Sequence, residues 1–195
     1  MDGEPVRFSD AVDSIIITLV EEGYRATNST KDKAAKNDGG MEFINSLDRA
    51  RGYFSSALFL AQRFGISQKT LDHILEDYIK KSKKIPKIFH SISLLLPELE
   101  FAKLGASKDV VENLAEEHAR CGQIGCFEKT IQLLKRKPLD REVGMIVKNY
   151  IDGASESQET EKRLIELAER ASRNIVISVS ESLRQRRERW RMQSY

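Results

Sequence analysis

Four times in this 195-residue chain an apolar helical pattern runs into a glycine: Ala61-Gln62-Arg63-Phe64-Gly65, Ala102-Lys103-Leu104-Gly105, Ala119-Arg120-Cys121-Gly122 and Tyr150-Ile151-Asp152-Gly153. Glycine enters the left-handed conformation without a Cβ clash, so it ends helices and turns the chain back. Repeated stops of this kind favour short helices laid against one another as hairpins. Only four prolines and little apolar–polar alternation argue against a β-sandwich or barrel. The expected fold is therefore all-α: an irregular, α-solenoid-like stack of antiparallel helix pairs followed by a long C-terminal helix. A chain of this length buries roughly 70% of its unfolded surface, so its core needs no disulfide or metal staple.

Apolar spacing of three and four residues places about nine helices. The first is expected from Ser9, as cap, to Gly23, with Val12, Ile15, Ile16 and Leu19 on one face. Residues 25–40 are polar and end in Asn37-Asp38-Gly39-Gly40, which predicts a loop. Helices follow over 41–63, from the Ser67 cap to Lys80, from Pro86 to Leu96, over 97–104, from the Ser107 cap to about Arg120, over 124–136, and from an Asp140 cap to Gly153. The ninth is read as one rod from Gln158 to Arg189. Its seam is Leu164, Leu167, Ala168, Ala171, Ile175, Val179 and Leu183, which is expected to override the strand propensity of Ile175-Val176-Ile177. At 1.5 Å per residue the rod would reach roughly 45 Å. This gives a helical-hairpin domain over 1–153 with the 25–40 loop, and a long helix with a basic tail over 154–195.

The stretch from Leu114 to Gly153, with Ala119-Arg120-Cys121-Gly122-Gln123-Ile124, Phe127, Leu133-Leu134 and Tyr150-Ile151-Asp152-Gly153, resembles helical-hairpin repeats of the tetratricopeptide and pentatricopeptide kind. Gly122 and Gly153 lie 31 residues apart, near the period of those families, whereas the intervals from Gly65 to Gly105 and from Gly105 to Gly122 are 40 and 17. The resemblance thus implies irregular pairs. Its tetratricopeptide side implies a concave surface for a protein, and its pentatricopeptide side implies single-stranded RNA. Phe64 to Leu75 also resembles a helix-turn-helix, turning at Gly65 with Ile66 as plug. That likeness would set Gln68, Lys69, Asp72 and His73 toward a major groove. Asp72, Glu76 and Asp77 would then repel phosphate.

The formal net charge is +2, unevenly spread. Residues 1–22 carry Asp2, Glu4, Asp10, Asp13, Glu21 and Glu22 against Arg7. Lys80, Lys81, Lys83, Lys84 and Lys87 form one basic cluster; Arg184, Arg186, Arg187, Arg189 and Arg191 form another around Trp190. Arginine beside an aromatic can hold phosphate and stack on a base, or dock on an acidic protein surface. These eleven side chains are the candidate partner or nucleic-acid site.

No P-loop, dinucleotide-binding glycine turn or Gly-x-Ser-x-Gly elbow occurs, so no enzyme and no cofactor are expected. His118, Cys121 and Cys126 give His-x2-Cys-x4-Cys, for which zinc would need Glu117, Glu128 or an open position as fourth ligand. Small buried thiols beside a turn are the plainer reading. Two cysteines are too few for a secreted disulfide scaffold. No apolar run approaches a membrane span, and no secretory leader is evident at the acidic start. The expectation is a cytoplasmic adaptor or scaffold with a protein-binding helical groove; nucleic-acid binding through 80–87 and 184–191 is the alternative. A homodimer through the C-terminal helix is a third reading.

Overall fold

The structure, a computed structural model, describes residues 8–35, 41–83, 97–153 and 157–193. These are helical throughout, with no strand among them. We number the helices α1 (Phe8–Ala35), α2 (Met41–Phe64), α3 (Gln68–Lys83), α4 (Glu98–Lys103), α5 (Lys108–Arg120), α6 (Ile124–Leu133), α7 (Asp140–Asp152), α8 (Gln158–Ala171) and α9 (Arg173–Gln193). The all-α class, the packed pairs and a long C-terminal helix are as the sequence predicts. The helix expected over 86–96 lies outside the described residues. The chain divides into two compact units, Met1–Val111 and Glu112–Tyr195.

In the first unit α1 and α2 pair antiparallel, Phe8 opposite Phe64 and Tyr24 opposite Phe54. Val12, Ile16, Val20, Tyr24, Ala50, Phe54 and Ala57 are buried along these helices. The loop expected over 25–40 is not one as far as residue 35, because α1 continues through Gly23. Gly23 is a packing position: a Cβ there would lie 2.4–2.8 Å from three ring atoms of Phe54. Its role is to let the rings in, and since no φ reversal occurs the helix does not stop. α3 is capped by Ser67, whose Oγ accepts from the Thr70 N–H at 3.2 Å. Asp13 of α1 reaches the same end, accepting from the Ser67 N–H at 3.1 Å and the Thr70 hydroxyl at 2.9 Å.

The second unit has one continuous core of Ala115, Ala119, Phe127, Ile131, Val143, Ile146, Leu164, Leu167, Ala168, Val179 and Leu183, to which five helices contribute. α5 ends in a Schellman turn, with Gly122 at φ 71° and the Gln123 N–H on the His118 carbonyl at 2.9 Å. Asp140 is the first residue of α7 and not its cap; the capping position is Leu139, whose N–H is satisfied by the Glu142 side chain at 2.8 Å. The single rod expected from 158 to 189 is corrected to two helices. Ser172 is extended at φ −153°, ψ 159°. Its hydroxyl donates to Asp140 at 2.7 Å and lies 3.4 Å from the Ile175 N–H at the start of α9. α9 then folds back along α8, with Arg187 3.7 Å from Glu161. The apolar period passes through Ser172 undisturbed, so spacing alone reads it as a single helix.

Candidate functional site

The basic cluster on α3 is largely engaged. Lys80 lies 3.8 Å from Glu76, and Lys81 pairs with Asp77 while its ammonium sits 4.2 Å from the centroid of the Tyr24 ring. Such i,i+4 pairs are what a solvated helix face forms. Lys83 is exposed at the helix end. Lys84 and Lys87 lie outside the described residues. Burial pushes the Tyr24 phenol well above its ordinary range, with Asp77 and Glu98 adding to the shift.

The arginine cluster is not one surface. Arg184 is clamped between Glu181 at 2.8 Å and Glu188 at 3.0 Å, one turn away on either side. The hydrogen bond from Arg184, then that from Gln185, hold the Glu181 carboxyl below its ordinary range. Arg187 faces Glu161 across the hairpin. Arg186 is 1% exposed and belongs to the interior. Its guanidinium lies 4.2 Å from the Tyr150 ring centroid and 5.7 Å from that of Trp190, and it donates to the Gly153 carbonyl at 3.0 Å. Stacking on two rings and bonding a helix-end carbonyl makes it a latch between α9 and the end of α7. Arg189 and Arg191 remain exposed and make no ion pair with a described residue. Arg186 is therefore not part of the exposed arginine surface, because it is needed indoors.

The helix-turn-helix likeness gains its left-handed Gly65, at φ 83°. Gln68, Lys69, Asp72, His73 and Glu76 do share an open shelf on α3. Asp13 already occupies the N-terminal end of that helix, however, and Asp72 accepts from the Ser107 N–H at 2.8 Å. Asp13 thus fills the place at the start of α3 where a phosphate would bind, and Asp72 is engaged at the start of α5.

Among the candidate zinc ligands, His118 Nδ1 and Cys121 Sγ are engaged locally. The Thr130 hydroxyl donates to the Cys126 carbonyl at 2.8 Å, so the 2.9 Å contact with His118 Nδ1 makes that nitrogen the donor. Cys121 Sγ lies 3.3 Å from Glu117 and 3.4 Å from Arg120, and Glu117 is bound to Arg120 at 2.5 and 2.7 Å. The bond from Glu117 is the main reason the Arg120 guanidinium is held above its ordinary range. Glu128 serves Arg163 and Arg170 of α8. Neither glutamate is left as a fourth ligand.

One feature of the second unit escaped the sequence reading. Gly144, Val147, Lys148 and Ile151 of α7 face Ile175, Ser178, Val179 and Ser182 of α9 across a trough of about 190 Å³. Each set repeats as i, i+3, i+4, i+7, so two helical stripes line one channel. Val147, Ile151, Ile175 and Val179 were legible as apolar positions; Gly144, Lys148 and the serines were not. The available signal was a glycine inside an otherwise regular helix pattern. A Cβ at Gly144 would meet nothing within 4 Å. Lys148 is the charged residue of the lining.

Comparison with protein families, curated proteins and solved structures finds no match to this chain. No helix of the described residues is long and apolar enough to cross a membrane.

Proposed function

We propose that this chain is a non-enzymatic interaction scaffold that binds another protein on a helical groove in its second unit. The observation that carries this reading is the trough between α7 and α9, lined by two matched helical stripes with small residues on both sides. Helix-in-groove recognition uses surfaces of this shape. The first unit has an exposed apolar patch of its own, the edge-to-face pair Phe8 and Phe64, 72% and 53% exposed. Neither Cys121 nor Cys126 is in a disulfide, which suits a reducing compartment and a cytoplasmic placement.

Capture from nuclease-treated lysate tests the reading. A protein retained by the full chain, and equally by a variant with Arg189→Glu and Arg191→Glu, is the expected result. Charge reversal is the right perturbation here, since truncation at Leu183 would remove the Arg186 latch. Capture that disappears with nuclease and with those two arginines would replace the scaffold by the nucleic-acid reading. That second reading rests on Arg189 and Arg191 flanking Trp190. Two phosphate contacts would weaken binding roughly 7- to 12-fold between 50 and 200 mM salt.

A further inference from the structure

We infer that the occupant of the α7–α9 trough is one amphipathic helix whose polar edge is acidic, an inference that rests on the scaffold reading above. The two stripes span eight residues each, seven steps of 1.5 Å, so the channel is roughly 10 Å long, two helical turns. A third helix laid into two such stripes presents side chains at i, i+3 or i+4, and i+7, matching their period. Gly144 fixes how close it comes. In mid-helix a glycine is less favourable than alanine, and no atom of the described residues fills the Cβ position at 144. Ser178 and Ser182 on the opposite wall are similarly short, so a partner backbone can approach both walls.

Charge selects the partner's edge. Lys148 is exposed at the lining, makes no ion pair with a described residue, and no carboxylate lines the trough with it. A partner helix with glutamate or aspartate beside its apolar face gains that contact, and one with lysine is repelled. Val147 and Val179, 5% and 2% exposed, close the floor of the trough, and the half-buried Ile151 and Ile175 offer aliphatic contact but no base-stacking ring.

The test uses two fluorescent 18-residue helical peptides, identical in a leucine stripe at i, i+3, i+4 and i+7, one flanked by glutamates and its twin by lysines. Anisotropy titration with the full chain at low salt is expected to give the glutamate peptide at least about tenfold tighter binding. Lys148→Glu, a change on an exposed side chain, should reverse that order. Gly144→Leu should weaken the glutamate peptide at least tenfold while the thermal melt stays cooperative. Equal affinity of the twins, or an order unmoved by Lys148→Glu, overturns the inference. So does a dimer by sedimentation that Gly144→Leu converts to monomer, which would give the trough to a second copy. Lysate capture separates the two levels: protein captured undiminished by Gly144→Leu sinks the trough alone, whereas no protein captured sinks the scaffold reading itself.

Discussion

Gly23 and Lys135 show two opposite uses of backbone freedom. Gly23 has ordinary helical geometry and is required by the Phe54 ring. Gly23→Ala forces that buried ring aside, and we expect a loss of about 2 kcal/mol in urea unfolding; a loss under 0.5 kcal/mol would mean the ring moves freely. Lys135 stands where a glycine would be natural, at φ 52° just past α6, with the next N–H returning to the Ile131 carbonyl at 3.3 Å. Lys135→Gly relieves the left-handed Cβ clash, with an expected gain of about 1 kcal/mol by the same assay. Tyr24 supplies a pH effect. Its phenol titrates higher in the folded state than its ordinary 10.0, so the unfolded chain releases that proton first. Stability then falls as pH rises above about 10. The unfolding midpoint should drop from pH 9 to 11, and drop less in Tyr24→Phe; identical slopes would remove Tyr24 from the account.

Between elements, the strongest polar joint is Arg136. It binds Glu112 of α5 at 2.6–3.1 Å and Glu142 of α7 at 2.6 and 2.9 Å, and donates to the Lys137 carbonyl at 2.9 Å. Glu142 is 1% exposed, so its charge depends on this partner. The bond from Glu142, ahead of that from Glu112, holds the Arg136 guanidinium above its ordinary range. Arg136→Met leaves a buried carboxylate without its cation, held only by the Leu139 N–H, and should cost about 3 kcal/mol. Recovery in the double variant Arg136→Met, Glu142→Gln is the check; no recovery would assign the loss to packing by the arginine stem. At this scale the sequence was legible wherever a local rule decided the outcome. Ser67, Gly65, Gly105 and Gly122 act at helix ends as their positions predict, the three glycines all at positive φ. Ser172 was not legible, because it breaks the helix without breaking the apolar period. What holds the break is Asp140, 32 residues away.

Across the whole molecule, the third reading, a dimer seam on the C-terminal helix, meets a physical obstacle. Val179 is 2% exposed in the core of the second unit, along with Leu183, Leu164 and Leu167. Val179→Asp should therefore unfold that unit, read as loss of cooperative melting and of far-UV helicity. A well-folded monomer from Val179→Asp would revive the seam as an interface. Ile177, 65% exposed, is the control position, where the same substitution should leave the melt within about 0.5 kcal/mol. The sequence by itself determined the helical class, most helix ends and the apolar faces, since these follow from local propensity, capping and periodicity. Only the tertiary structure decided that Arg186 lies inside, that Gly23 serves a ring, that the last helix doubles back, and that α7 and α9 enclose a trough. Each of those depends on which distant side chain arrives opposite a given position, and a one-dimensional pattern of spacing does not carry that information.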